Sequence, residues 1–398
     1  MLADTQPPET RRDAPTIWIL YASTGRGHQR AAEAVTAALR RSHTGCSVQL
    51  FDILELTEWP LAVGYRVGYS LGVKRARAVY RFLYERWRAP EKAQASPLLR
   101  FAPRFADPLA ARMAGAPPAM VVSTHFLGSY LADHLRTRGL WKGPLWQVVT
   151  DFRPHGFQVM AGIERYLIPS PEAAEVLRRY GIAPDALSVT GIPCSEEFRR
   201  VGERRATSPR PRGPRRVLFL GHGLTATSLV PWVRRLAEAR EVRLTVAGIS
   251  SPRLEACLRW LTARAANAVE VHGLVDFLPR LMAEADLVVG KAGGLTCSEA
   301  MDAGVPMALC LCYPGQEEEN RDYLVERGAA AAVTDPREVR ELAMDPGRLE
   351  SLARGSRRLG RADAASSIVR LALGRLGLDE RRTGGVPGAA LVAGAAAS

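Results

Sequence analysis

The stretch from Asp286 to Asn320, DLVVGKAGGLTCSEAMDAGVPMALCLCYPGQEEEN, holds the densest set of residues able to do chemistry. Leu287 to Val289 reads as a buried strand. A turn carrying Lys291, Gly293 and Gly294 follows, then a helix starting near Thr296 or Ser298. Glycines holding open a helix N-terminus suit a phosphate, because the unpaired N–H groups and the helix dipole both favour negative charge. Glu299, one turn on, meets a phosphate unfavourably. It reads either as an acceptor of hydrogen bonds from ribose hydroxyls or as a charge that only favours the helix dipole. A Gly-Val-Pro stop and a second apolar strand, Met307 to Cys312, come next. The polar loop after them holds Gln316, Glu317 and Asn320, hydrogen-bonding groups of the kind a sugar ring needs. Together these residues point to a nucleotide-sugar site.

Other chemistry-bearing residues stand at the ends of apolar runs. Residues 23–30, STGRGHQR, follow a strand and open a helix, so Gly25 and Gly27 permit close approach and His28 sits at the helix mouth. The run lacks the third glycine of the dinucleotide fingerprint, which weighs against a nicotinamide or flavin cofactor. His28 reads either as a turn-capping histidine or as a general base for an acceptor hydroxyl, a task a near-neutral imidazole suits. Asp151, in Thr150-Asp151-Phe152 with His155 close behind, is a second candidate base, the group that orients one, or a turn aspartate. His125 closes another apolar run beside Ser123 and Thr124 and is a candidate for the same cleft. Gly221 and Gly223 flank His222 between a strand and a helix. They either bring backbone N–H groups near a diphosphate or only make a tight turn. No Asp-x-Asp triplet and no His/Asp cluster with metal spacing occurs. The diphosphate charge is therefore expected to be met by the helix N-terminus, backbone amides and an arginine, with no metal and no cofactor.

These residues need elements to position them, and 398 residues suffice for two domains with full cores. Residues 1–15 are polar and proline-rich and are expected to be disordered. Thr16 to Ala22, a helix over 29–40 and a strand over 47–53 begin a doubly wound parallel sheet. Strands near 119–123, 145–150, 161–170 and 188–192 continue it to about residue 200, several ending in polar residues where such a sheet places ligands. Residues 201–214, VGERRATSPRPRGP, read as a linker. A second strand–turn–helix unit starts at 215 and runs to about 375, and the tail 383–398 is low in complexity. The predicted fold class is α/β, with two Rossmann-like doubly wound domains facing a cleft.

The chain carries 54 basic and 41 acidic residues, a net charge of +13, and only four of the basic residues are lysine. The excess reads either as arginine-rich composition or as a match to an anionic partner. Residues 74–104 concentrate it, with nine Lys/Arg against two Glu, interleaved with Tyr80, Phe82, Tyr84, Trp87 and Phe101. A basic aromatic segment such as 62–105 can lie in the headgroup layer of an anionic membrane surface, follow single-stranded nucleic acid, or bury its rings in a core. Six scattered cysteines without metal spacing fit reduced thiols in a cytoplasmic protein. No apolar run reaches transmembrane length, so membrane contact would be peripheral, at the inner face of the plasma membrane.

The segment 286–320 resembles the C-terminal half of the glycosyltransferase family 28 enzymes, and within them the monogalactosyldiacylglycerol synthases and processive diacylglycerol glucosyltransferases. The likeness covers roughly residues 16–56, 119–200 and 215–335. It implies the GT-B fold and an inverting hexosyltransferase that takes UDP-glucose or UDP-galactose and glycosylates diacylglycerol or a related lipid. It further implies Glu299 on the ribose, Gly293, Gly294 and Thr296 at the phosphates, and Gln316, Glu317 and Asn320 on the hexose. Val271 to Phe277 resembles the loop that clasps the uracil, with Gly273 and Val275 acting through backbone and shape. His28 matches the family's candidate base, although Arg26 stands where the family has glycine. Asp151 and His155 match a Thr-Asp…His pattern, although Gln158 stands where the family commonly has tryptophan. A transferase on a soluble acceptor, a sugar-nucleotide epimerase and a non-enzymatic nucleic-acid binder remain the competing readings. No recognisable nucleic-acid module supports the last, so nucleic acid is not an expected partner.

Overall fold

Strands buried on both faces need apolar residues at every position, and the runs IWIL and VLFL supply them: Ile17 to Leu20 and Val217 to Leu220 are all buried. The computed structural model describes residues 14–42, 45–75, 77–207, 213–265 and 267–378. The expected disordered residues 1–13, the tail 383–398 and residues 208–212 of the expected linker lie outside them.

Among the described residues twelve parallel strands form two six-stranded sheets. The first contains β1 (Thr16–Tyr21), β2 (Ser47–Asp52), β3 (Met120–Ser123), β4 (Leu145–Val148), β5 (Arg165–Ile168) and β6 (Leu187–Val189), in the order β2-β1-β3-β4-β5-β6. The second contains β7 (Arg215–Leu220), β8 (Val242–Ala247), β9 (Val269–Val271), β10 (Leu287–Gly290), β11 (Met307–Leu309) and β12 (Ala330–Ala332), in the order β12-β11-β10-β7-β8-β9. Strand order reverses between β1 and β3 in one sheet and between β7 and β10 in the other. At such a point neighbouring connections depart to opposite faces and leave a crevice beyond the carboxyl ends of the strands. The turns carrying His28, His125, Gly221 and Gly293 follow those four strands.

Eight helices matter for the site: α1 (Arg26–Arg41), α2 (Trp59–Arg75), α3 (Arg77–Arg86), α4 (Phe126–Thr137), α5 (Glu196–Thr207), α6 (Gly294–Asp302), α7 (Gln316–Glu326) and α8 (Ala364–Arg375). Three differ from the sequence expectation. Residues 201–207, expected in the linker, are the last turns of α5. Its two buried apolar residues, Phe198 and Val201, lie on one face and join the core under the second sheet. The expected loop 316–320 is the start of α7. Gly315 caps it at φ 82° and Glu317, Glu318 and Glu319 in its first turn favour the dipole. Finally α8, placed with the second unit by sequence order, docks on the first. Its Ile368, Val369, Ala372 and Leu373 bury themselves with Ala32, Val35 and Leu39 of α1. Small alanines on α1 let the two helices approach closely, which is why an alanine-rich stretch serves here as a docking face.

Ile368 is fully buried in that contact. Replacing it with alanine is expected to destabilise the protein by about 2–5 kcal/mol through the lost burial and the cavity left behind. A lowered urea midpoint with an unchanged m-value would measure it; an unshifted midpoint would show that α8 contributes no stability.

Candidate functional site

On the first unit, four titratable side chains gather at the ends of β1, β3 and β4. The Nδ1 of His28 lies 2.7 Å from the carbonyl oxygen of Thr124. A carbonyl can only accept, so Nδ1 carries the proton and Nε2 keeps its lone pair. Thr150 Oγ1 lies 3.2 Å from the same Nδ1, and Thr124 Oγ1 donates back to the His28 carbonyl at 2.9 Å. Burial pushes the His28 imidazole below its ordinary range, against the raising effect of the Thr124 hydrogen bond. The ring is therefore neutral near pH 7, and Nε2 makes no hydrogen bond among the described residues.

His125 has a different task. Its Nδ1 accepts from the Leu127 N–H at 3.2 Å and caps α4, so its proton sits on Nε2, 3.4 Å from the Tyr65 hydroxyl. Its ring stands edge-on to that of His28, centroids 4.6 Å apart. Burial and the neighbouring His28 and His155 push its pKa well down. Asp151 is 3 % exposed, with both oxygens engaged: Oδ2 accepts from Gln158 Nε2 at 3.1 Å and Oδ1 from Asn320 Nδ2 at 3.3 Å. Burial raises the Asp151 pKa, while His155 and the amide hydrogen bonds pull it back. Gln158 also accepts from the His155 N–H at 3.2 Å. Gln158 thus fixes Asp151 to the His155 backbone.

His28, His125, Asp151 and His155 stand at the polar end of a cavity of about 460 Å³. Its walls are Leu61, Val79, Leu83, Trp87, Leu98 and Phe105, with Gln316 reaching in from the second unit. Residues of the basic aromatic segment therefore form an apolar wall. The outer face of α2 and α3 is also apolar: Trp59, Val63 and Val67 of α2 are 74, 47 and 49 % exposed, and Phe82 of α3 is 65 % exposed. Part of its charge is used internally, since Arg81 pairs with Glu318 and Arg88 with Glu319, each at 2.8 Å. Arg86, Lys92, Arg100 and Arg104 are exposed.

On the second unit, Gly293 caps α6 and Thr296 lies half-buried in its first turn. The turn Gly221–Gly223 is tied to this end by the Tyr313 hydroxyl, which donates to the Gly223 carbonyl at 2.6 Å. The Lys291 ammonium sits 4.3 Å from the Tyr313 ring centre and 2.7 Å from Glu317 Oε1. Gly273 joins the same end by accepting from the Gly248 N–H at 2.9 Å, and Val275 packs against the core that contains Leu295. Gly248, at φ 83°, leaves room only for the His222 ring, which a Cβ there would meet at 2.4 Å.

Two predicted ligand-binding residues are turned into the contact between the units. Glu299 is 1 % exposed; Arg30 of α1 pairs with its Oε1 at 3.0 Å, while Oε2 is buried with no hydrogen-bond partner. Burial pushes the Glu299 pKa up to about 7 against the lowering effect of Arg30. Asn320 is also 1 % exposed. Its oxygen accepts from the Phe152 N–H at 2.9 Å, and its nitrogen donates to Asp151 and to the Ala292 carbonyl. Gln316 faces the cavity, and Glu317 holds Lys291 and accepts from the Tyr313 N–H. Sequence reasoning missed Arg30, Gln158, Tyr65 and Tyr313, because each acts on a partner far along the chain or by replacing an expected residue type.

The closed approach of the two units is visible at Gly294, where a Cβ would stand 1.9 Å from the Thr150 carbonyl oxygen. Among the described residues no group of His, Cys, Asp and Glu could hold a metal ion, and no helix is long and apolar enough to cross a membrane.

Solved structures share this architecture. MurG of Acinetobacter baumannii matches over 90 % of this chain and 98 % of its own, with a TM-score of 0.58 at 17 % identity. The UDP-GlcNAc 2-epimerase of Neisseria meningitidis bound to UDP-GlcNAc matches over 90 % of this chain and all of its own length, with a TM-score of 0.55 at 14 % identity. At such identities the likeness is one of fold, and the fold is GT-B. Residues 28–194 match the family described as Monogalactosyldiacylglycerol (MGDG) synthase, and residues 252–357 match the Glycosyltransferase family 28 C-terminal domain. The chain belongs to glycosyltransferase family 28. The processive diacylglycerol beta-glucosyltransferase of Bacillus licheniformis is 27 % identical over 240 residues, 57 % of this chain and 61 % of its own length. Monogalactosyldiacylglycerol synthase 1 of Arabidopsis thaliana is 27 % identical over 380 residues, 89 % of this chain and 69 % of its own.

Asn320→Ala removes three hydrogen bonds and leaves the Phe152 N–H and the Asp151 carboxylate short of partners in a buried contact. The variant is expected to lose about 1–3 kcal/mol of stability, read as a drop in the guanidinium midpoint. A wild-type midpoint would mean that water takes over the bonds and the contact is not closed in solution.

Proposed function

We propose that this chain moves a hexose from UDP-glucose or UDP-galactose to the hydroxyl of diacylglycerol or a closely related lipid, with inversion and without a metal. The observation that carries this reading is the cavity: walls apolar enough to suit acyl chains, lined also by the His28 and Asp151 side chains and the second unit's Gln316. A soluble sugar acceptor would find too few polar partners along those walls. The family relationship and the names of the relatives add support for the lipid and for the nucleotide sugar.

In this mechanism His28 is the base. Its Nε2 lone pair is free, its Nδ1–H is anchored on Thr124, and its ring is neutral at working pH. The acceptor O–H gives its proton to Nε2 as the oxygen attacks the anomeric carbon. The bond to the diphosphate breaks on the opposite face, and its electron pair leaves on the phosphate oxygen. Asp151, with both oxygens held by amides, positions Asn320 and the segment 150–152. The leaving UDP is received at the α6 N-terminus by Gly293, Gly294 and Thr296, with the uracil against Gly273 and Val275.

Purified protein, diacylglycerol vesicles and labelled UDP-glucose or UDP-galactose, with chelator present, should give labelled glycolipid. His28→Asn should lower kcat by roughly 10²–10⁴-fold, the usual contribution of a positioned base. Because burial depresses the His28 pKa, activity should hold as pH falls to about 6.5, the ordinary histidine value, and fail only below it. An acid limb centred above that value, or an active His28→Asn, would remove His28 as the base. Sugar-nucleotide cleavage without glycolipid would mean a different acceptor.

The same reading assigns the outer face of α2 and α3 to the membrane surface, where exposed apolar residues and the exposed Arg86, Lys92, Arg100 and Arg104 would meet anionic headgroups. Vesicle binding should rise with anionic lipid, weaken at high salt, and fall in Trp59→Ala/Phe82→Ala. Binding indifferent to all three would refute the assignment.

A further inference from the structure

The contacts between α1 and α6 run in step. A Cβ on Gly27 would stand 3.9 Å from that of Leu295, and Arg30 meets Glu299 at 3.0 Å. The two helices therefore lie side by side and point the same way, with their N-termini level. That arrangement is unfavourable on its own, because each N-terminus carries about half a positive charge. Arg26 and Arg30 are one turn apart on the same face of α1. With Arg30 on Glu299, Arg26 falls one turn nearer the mouth, at the level of Gly293 and Gly294. Arg30 and Lys291 each have a carboxylate partner; Arg26 has no ion-pair or hydrogen-bond partner among the described residues. His222, on the neighbouring turn, registers the accumulated charge: burial and then Arg30, Arg26 and Lys291 push its pKa down to about 4. In the same contact a buried oxygen of Glu299 lacks a partner. Two helix N-termini, an unpaired guanidinium, a neutral imidazole and an unfilled carboxylate oxygen together fit one ligand class, a nucleoside diphosphate: an anion joined to a ribose that donates hydroxyls.

We propose that Arg26, supplied by the first unit, is a direct ligand of the donor's diphosphate. The inference rests on the nucleotide-sugar reading of the α6 N-terminus. It makes the donor site a composite of both units, complete only when α1 and α6 lie together. As the anomeric bond breaks and charge moves onto the phosphate oxygen, Arg26 donates a charge-assisted hydrogen bond to it.

Calorimetric titration with UDP and with uridine separates the possibilities without needing turnover. Arg26→Gly should weaken UDP roughly tenfold, the worth of one charge-assisted hydrogen bond, and leave uridine unchanged. Arg26→Lys should keep UDP within about threefold of wild type, since a point charge replaces most of the interaction. Arg26 is exposed, so neither variant removes a buried contact. Wild-type UDP affinity in Arg26→Gly, or an equal loss of UDP and uridine, would overturn the assignment. Wild-type protein that binds neither compound would overturn it together with the nucleotide reading. UDP binding that depends on Arg26, in a protein that transfers no hexose to lipid, would leave Arg26 standing and remove only the proposed acceptor.

Discussion

Everything in the site depends on how closely two backbones approach between the units. At Gly294 the helix carrying the anion-binding N–H groups comes so near the Thr150 carbonyl that no side chain fits. At Gly315 a Cβ would stand 2.7 Å from the ring of Tyr84. Two glycines therefore set the width of the cleft, and the polar residues around them are arranged to suit that width. Asn320 can reach both Asp151 and the Phe152 N–H only because the gap is this narrow.

The contact combines two buried polar anchors, Asn320 on Asp151 and Arg30 on Glu299, with a ring of exposed ion pairs. Asn320 and Asp151 are buried, and the Phe152 and Tyr323 rings beside them stack with centroids 5.1 Å apart. Around them Arg81, Arg88 and Arg153 meet Glu318, Glu319 and Glu326 of α7 with partly exposed side chains. Exposed pairs of this kind contribute about 0–1 kcal/mol each, so they set register more than strength. The buried amide is different, because separation would strand groups that have no other partner. The acidic first turn of α7 thus has two uses, complementing its own dipole and choosing which face of the first unit it meets.

Much of this was legible in the sequence where information is local. Apolar runs ending in glycine turns marked the strands and the α6 mouth, and they singled out His28 and Asp151 beyond strand ends and Glu299 in the helix that follows the glycines. What could not be read is pairing between distant positions. Nothing around Arg30 signals Glu299, and nothing around Asn320 distinguishes an amide facing a sugar from one that staples two units. Residues 316–320 read as a loop because they are all polar, and the buried residues of α7, Asn320, Tyr323 and Leu324, form no repeating apolar stripe. The 201–207 stretch failed for a related reason: α5 is anchored by Phe198 and Val201 alone, while its Arg205 donates to the Met282, Ala283 and Ala285 carbonyls.

The return of α8 to the first unit has a mechanical consequence. The chain passes between the units twice, once ahead of α5 and again ahead of α8, where Arg361 and Ala364 crowd Gly191 so closely that a Cβ would stand 2.7 Å from the Arg361 Cβ. One connection would act as a swivel and leave rotation free in every direction. Two connections that lie against one another restrict the units to movements that keep both straps intact. The place where Gly191 meets Arg361 is then a reinforced hinge, and α1 and α6 are held in alignment from both ends of the second unit's chain.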